Sequence, residues 1–203
     1  METKTTEAVD IKKIYAEYAA KGIDSAQQLG WNDLATQDRY MQLMLTLVQK
    51  HVPLKGKTVH DAGCGFGDLL TYLEKAWGGP HIASYIGTDI MESSITEAKK
   101  RHPAYEFLCV DLLAGAVPEA DVTFCMGALA FHRSQESMLL LERLWTASKV
   151  ALAFNAWWDL HSGYVNHWEA QKFQKRVQSW LKGKQAVMLH GYENTERMFL
   201  VLK

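Results

Sequence analysis

The chain has 203 residues, 48% of them hydrophobic and 22% charged, enough for one substantial core and unlike the composition of a disordered protein. Its 22 lysines and arginines face 23 acids, so no global positive field exists to collect nucleic acid or an acidic membrane. No run approaches the roughly 20 apolar residues of a bilayer span, and the opening METKTTEAVD lacks a signal peptide's basic start and apolar core.

In chain order, IKKIYAEYAAKG has helical spacing and stops at Gly22. A second helix is predicted over about Leu34 to Gln49, with Met41, Leu45 and Val48 on one face, ending before Pro53. The texture then changes. KTVHDAG reads as a strand, GDLLTYLEKAW as a helix, IASYIGTDI as a strand, and Met91 to Lys100 as a helix. YEFLCVD and DVTFCMGAL follow as strands, Gln135 to Thr146 as a helix, and KVALAFNAW as a fifth strand. Strands alternating with helices predict a parallel sheet covered on both faces. In the tail, QAVMLHGY and ERMFLVLK are separated only by about Glu193 to Thr195. That is too short for a parallel crossover, so an antiparallel hairpin is expected. No repeat, linker or boundary interrupts the chain, which reads as one domain over 1–203, with a helical cap over 1–52 and a sheet core over 53–203.

The strongest local signal is TVHDAGCGFGDLL, residues 58–70, a strand running through Gly63, Gly65 and Gly67 directly into a helix. Glycine lets the backbone turn sharply and approach a ligand. The spacing departs from the GxGxxG of dinucleotide enzymes, because Asp68 stands where the third glycine is expected. Asp61 beside the loop would repel a pyrophosphate but suits an ammonium, favouring an amino-acid-bearing nucleoside. The next strand ends in Asp89-Ile90, 26 residues from Gly63 to the acid, where a carboxylate can accept from both ribose hydroxyls. The third strand ends in Asp111, placed for an adenine amino group, with the Leu112 amide for a ring nitrogen. Each acid alone has a plainer reading as a strand terminus or helix cap; three on successive strands point to a ligand rim.

HDAGCGFG, GTDI, CVDLL and DVTFCMGAL resemble the successive motifs of the Rossmann-like (class I) S-adenosylmethionine-dependent methyltransferases. The resemblance covers about residues 55–203. It implies a seven-stranded, mostly parallel sheet in the order 3-2-1-4-5-7-6 with strand 7 antiparallel, helices on both faces and the ligand outside strands 1 to 3. It implies S-adenosylmethionine as cofactor and S-adenosylhomocysteine as product, held by Asp61, Gly63, Gly65, Asp89, Ile90, Asp111 and Leu112, with the backbone at Gly127 closing the pocket. His60 departs from the usual apolar residue and is read as a satisfied interior histidine. The amino-terminal segment resembles a smaller group in which paired aromatics precede a GW turn and a helix bearing glutamine and arginine: here Tyr15, Tyr18, Gly30-Trp31, Gln37 and Arg39. That implies a lid, with Tyr15 against the cofactor and Arg39 available to its carboxylate. Both residues also have ordinary readings, as core packing and as a solvated helix face.

Methyl transfer from a sulfonium needs chiefly alignment, exclusion of water and, for a protonated acceptor, removal of a proton. Relatives that methylate base amines or glutamine amides carry an Asn- or Asp-Pro-Pro-aromatic loop after the fourth strand; this chain has CMGALAFH instead. His132 is the titratable group there, either the general base or a helix-start histidine. NAWWDLHSGYVNHW, residues 155–168, is rich in aromatics with polar tips, which suit a small organic or peptidic ligand. Trp31, Phe131, Trp157 and Trp158 are the candidate acceptor contacts. Three cysteines (Cys64, Cys109, Cys125) without CxxC spacing imply no disulfide framework or zinc site, and no cluster demands a metal. The expectation is a cytoplasmic methyltransferase, monomer or homodimer, acting on an oxygen or nitrogen of a small molecule, without membrane or nucleic-acid partner. Two alternatives stay open: a protein or peptide acceptor, and a module that binds the cofactor without chemistry.

Overall fold

The structure is a computed structural model and describes residues 10–21, 25–76, 82–130, 132–157, 167–190 and 196–203. It begins with three helices, α1 (Ile11–Lys21), α2 (Ser25–Gln28) and α3 (Leu34–His51). The core then runs β1 (Thr58–Ala62), α4 (Asp68–Ala76), β2 (Ser84–Asp89), α5 (Glu92–Arg101), β3 (Glu106–Cys109) and β4 (Ala120–Cys125). It closes with α6 (Ser134–Ala147), β5 (Ser148–Trp157), α7 (His167–Leu181), β6 (Gln185–His190) and β7 (Glu196–Leu202). The short α2 had no sequence signal of its own.

The seven strands form one sheet in the order β3-β2-β1-β4-β5-β7-β6. β1 pairs in parallel with β2 on one side and β4 on the other. Strand order therefore reverses at β1, and the crevice outside its carboxyl end is where open α/β sheets take ligands. β7 runs antiparallel to both β5 and β6, as the short tail connection requires.

Two apolar layers sandwich the sheet. On one face, Met44 and Val48 of α3, Leu69 and Leu70 of α4 and Ile95 of α5 pack on Val59, Phe107, Val122 and Phe124. On the other, Leu141 and Leu144 of α6 and Val177 of α7 pack on Ala62, Cys125, Leu152 and Phe154. α3 joins the first layer because its apolar residues recur at helical spacing, Tyr40, Met41, Met44, Leu45 and Val48 being buried. Its start is fixed by Asp33, whose carboxylate accepts from the Thr36 amide at 2.7 Å.

Between β3 and β4, which the sequence reads as consecutive strands, residues 110–119 contain turns and no helix. Arg143 of α6 holds this connection, donating to the Leu112 carbonyl at 2.8 Å and to the Gly115 carbonyl. Without a covering helix, Leu108 on β3 stays 39% exposed. His60 is fully buried, as expected, but only half satisfied. Its Nε2 lies 2.9 Å from the Thr88 hydroxyl, its Nδ1 has no partner among the described residues, and burial holds its pKa down at about 4.

Candidate active site

The glycine loop leaves β1 with its amides already spoken for. Gly63 and Cys64 both donate to the Thr88 carbonyl, at 2.8 and 2.9 Å, and Gly67 donates to the Cys64 carbonyl at 2.9 Å. The Gly65 amide donates to Asp89 Oδ2 at 2.9 Å. Gly63 has φ +79°, and a Cβ there would meet the Ala128 Cβ at 2.6 Å. A Cβ on Gly65 would meet Leu29 of the cap at 2.7 Å. Glycine at these positions is thus a demand of both torsion and space, and the cap rests directly on the loop.

Three acids converge around it. Asp61 is 2% exposed, and its Oδ2 accepts from the Tyr85 hydroxyl at 2.7 Å. Burial pushes its pKa up to about 7; the Tyr85 bond opposes the shift, and the nearby Asp89 and Asp68 add to it. Asp89 is also raised, by burial, although its carboxylate accepts from the amides of Gly65 and Met91. Asp111 is exposed, with Oδ1 accepting from the Leu113 amide at 2.9 Å. All three line one cavity, together with Gly63, Gly65, Ile90, Leu112 and Gly127. The cap supplies its roof through Tyr15, Leu29, Trp31, Gln37 and Met41.

Tyr15 is half-buried, meets Tyr18 edge-on at 6.4 Å between centroids, and has its phenol pKa raised by desolvation and by Asp89. Trp31 packs on Tyr40 at 5.7 Å and faces Gly127. His132 lines the cavity, its Nδ1 buried without a partner among the described residues. Burial lowers its pKa, against the opposing pull of Glu136 and Asp111, so the imidazole is neutral at pH 7.

Not every candidate enters the cavity. Arg39 is exposed and borders a separate surface depression with Asp33 and Asp38. Residues two apart on a helix point about 200° from each other, so turning Gln37 inward turns Arg39 out. Phe131 and Trp158 lie outside the described residues; Trp157 ends β5, and its side chain is likewise outside them.

The structure adds Asp68 and gives Gln37 a position. Gln37 is 2% exposed, and its amide donates to Asp68 Oδ2 at 3.0 Å. Asp68 Oδ1 takes Arg101 at 3.2 Å, and the same guanidinium lies 4.7 Å over the Phe66 ring. Only the departure from GxGxxG hinted at Asp68 in the sequence. Among the described residues no group of His, Cys, Asp and Glu is placed to hold a metal, and no helix is long and apolar enough to cross a membrane.

This strand order, with the reversed last strand and an acid-lined crevice beside the glycine loop, is that of the class I, Rossmann-like methyltransferases. Residues 59–149 match the family model described as a methyltransferase domain. The stretch from β1 to α6 is thus similar in sequence to a methyltransferase domain, and the chain has the fold of solved methyltransferases that bind S-adenosylmethionine. No curated protein matches the sequence.

Among solved structures, the chain is similar to magnesium protoporphyrin IX methyltransferase (ChlM) from Synechocystis PCC 6803 with bound SAM. The identity is 18% and the TM-score 0.67, over 98% of this chain and 100% of that one. It is similar to the N-methyltransferase NodS from Bradyrhizobium japonicum WM9 in complex with S-adenosylhomocysteine, at 13% identity and TM-score 0.68 over 94% and 96% of the two chains. The methyltransferase domain of a bacterial Hen1 gives 14% identity and TM-score 0.64, over 83% and 100%.

Proposed function

We propose that the protein transfers the methyl group of S-adenosylmethionine to an oxygen or nitrogen nucleophile of a small organic acceptor. The observation that carries the reading is the single cavity at the reversal of strand order, lined by Asp61, Asp89 and Asp111 and roofed by the cap. Its donor set fits the cofactor: carboxylates for an ammonium and a ribose diol, and an apolar slot at Ile90 and Leu112 for a base. Bound there, the cofactor supplies an activated methyl on a sulfonium.

The chain's own residues would do the rest. Asp61 takes the ammonium, Asp89 the ribose hydroxyls and Asp111 the base amine, while Gly63, Gly65 and Gly127 admit close backbone approach. Tyr15, Trp31 and Met41 exclude water from the reacting end, which strengthens every charge interaction there. His132, neutral and with an unpartnered Nδ1, accepts a proton from the acceptor where one must leave. Phe131, Trp157 and Trp158 are proposed to complete the acceptor wall, and Arg39 to reach the cofactor carboxylate only if the cap shifts. A small-molecule acceptor is favoured by the narrow, roofed cavity, and by the printed names of ChlM and NodS, a porphyrin and an N-methyltransferase. We read the chain as one domain, working in the cytoplasm as a monomer or homodimer, without membrane or nucleic-acid partner.

The test is transfer of labelled methyl from S-adenosylmethionine to a panel of small hydroxyl and amine compounds, with tRNA, DNA and bulk protein as competing acceptors. Label appearing chiefly in polynucleotide or protein would refute the acceptor class.

A further inference from the structure

We infer that Arg143 is a positioning residue for the cofactor's base: it locks the turn after β3 in the arrangement that recognises adenine, and so sets the site's preference for adenine over hypoxanthine. The inference rests on the cofactor reading above and assigns its base selectivity to a side chain that does not itself line the cavity.

The turn carries the two groups read as facing the base, the Asp111 carboxylate and the Leu112 amide, and both residues line the cavity. Neither belongs to a helix or strand. Their backbone is held by two chains of hydrogen bonds that end on one guanidinium. In the first, the Leu112 carbonyl accepts from Arg143 Nε at 2.8 Å, and the N–H of the same peptide, that of Leu113, donates to Asp111 Oδ1 at 2.9 Å. The arginine fixes one side of that peptide, and its other side fixes the carboxylate. In the second, the Gly115 carbonyl accepts from Arg143 Nη2, while the amides of Gly115 and Ala114 donate to the Asp111 carbonyl at 2.6 and 3.1 Å. That carbonyl belongs to the peptide whose N–H is the Leu112 amide.

Among the described residues no carboxylate pairs with Arg143, so its fork of donors is spent on the turn. Hydrogen bonds from a cation are roughly twice as strong as neutral ones. The turn has little freedom to follow a different base. A Cβ on Gly115 would meet Val110 Cγ2 at 2.5 Å and the Asp111 carbonyl oxygen at 3.0 Å. The Leu112 side chain is buried in one apolar cluster with Leu140, Leu141 and Leu144 of α6. Adenine offers an amino donor to a carboxylate and a bare ring nitrogen to an amide. Hypoxanthine reverses both, presenting a carbonyl oxygen and a ring N–H. A turn able to rotate its peptides would meet that pattern with its carbonyls; a locked one leaves donors and acceptors on both partners unpaired.

The experiment is calorimetric titration of the full chain with S-adenosylhomocysteine and with S-inosylhomocysteine, which carries hypoxanthine in place of adenine. The parent should bind S-adenosylhomocysteine at least about tenfold more tightly. In Arg143→Gln that ratio should shrink several-fold, chiefly through weaker binding of S-adenosylhomocysteine. Arg143→Lys should fall between the two, since one ammonium lacks the fork that reaches both carbonyls. Gly115→Ala displaces the turn with the arginine intact and should shrink the ratio as well. Folding of each variant is checked by thermal melting; if Arg143→Gln does not fold, Arg143→Lys and Gly115→Ala carry the same test. Equal affinities in the parent, or a ratio unchanged in the folded variants, overturn the inference while leaving the cofactor assignment standing. So does an equal loss of both affinities, the mark of an arginine that only supports the fold. A parent that binds neither ligand overturns both.

Discussion

The turn after β1 and the turn after β4 approach the same cavity from adjacent strands and are held in opposite ways. In the first, the amides of Gly63, Cys64, Gly65 and Gly67 all find acceptors at 2.9 Å or closer. In the second, the Gly127 amide is anchored on Asn155 Oδ1 at 2.7 Å, but the bonds from Ala130 and His132 lengthen to 3.2 and 3.4 Å. A Cβ on Gly63 has no room, whereas one on Gly127 meets only Trp31 at 3.6 Å. The turn after β1 is closely held, whereas the turn after β4 has longer backbone bonds and an imidazole whose Nδ1 has no partner among the described residues. Preorganised contacts serve a ligand common to every turnover, and adaptable ones a site that must admit and release different molecules.

The sharpest way to separate the two sides is His132→Gln. Turnover should fall about 10²-fold if the imidazole takes the proton, with affinity for S-adenosylhomocysteine nearly unchanged by calorimetry. Turnover within a few-fold of the parent would return His132 to a structural part and leave alignment to carry the acceptor side. Asp89→Ala should do the reverse. It removes a carboxylate that also anchors the Gly65 and Met91 amides, and affinity for S-adenosylhomocysteine should drop at least about tenfold, or 1.4 kcal/mol. An undiminished affinity in folded protein would detach that carboxylate from the cofactor.

Gly63→Ala against Gly127→Ala tests rigidity without ligand. Both positions have φ near +80° and share the torsional strain, of order 1–3 kcal/mol. Only Gly63→Ala adds the 2.6 Å clash with Ala128, so its melting temperature should fall further, by several degrees. Equal losses would mean that the two turns are equally compliant.

The smallest effect concerns pH. An acid whose folded pKa is raised stabilises the fold fully below its unfolded value and loses that contribution as pH climbs through the folded one. For Asp61 the window runs from its ordinary value of 3.8 up to about 7. The unliganded protein should therefore lose melting temperature between pH 5 and 8, and Asp61→Asn should flatten that slope, since an amide still accepts from Tyr85. A slope unaltered in Asp61→Asn would assign it to other groups.

Local pattern made much of the molecule legible. The glycine loop, the acids at the ends of β1, β2 and β3, and the tail hairpin are written in residues a few positions apart, where torsion and connection length decide the outcome. Arg39 shows the limit. Arg39 and Gln37 belong to one sequence motif, and which of them faces the cavity depends on how α3 rolls against α4 and β7. Asp68 was visible only as a missing glycine, because its partners Gln37 and Arg101 arrive from helices 31 and 33 residues away in sequence.

By itself the sequence determined the type of most elements, the glycine turn after β1 and the antiparallel tail, all consequences of periodicity, glycine and chain length, while the strand order followed from the resemblance of its motifs. Tertiary packing alone decided the rest: the seating of Leu29 on Gly65, the pinning of the β3–β4 connection by Arg143, and the burial that raises Asp61 and lowers His132. Those depend on distances between segments remote in the chain, and desolvation has no local signature.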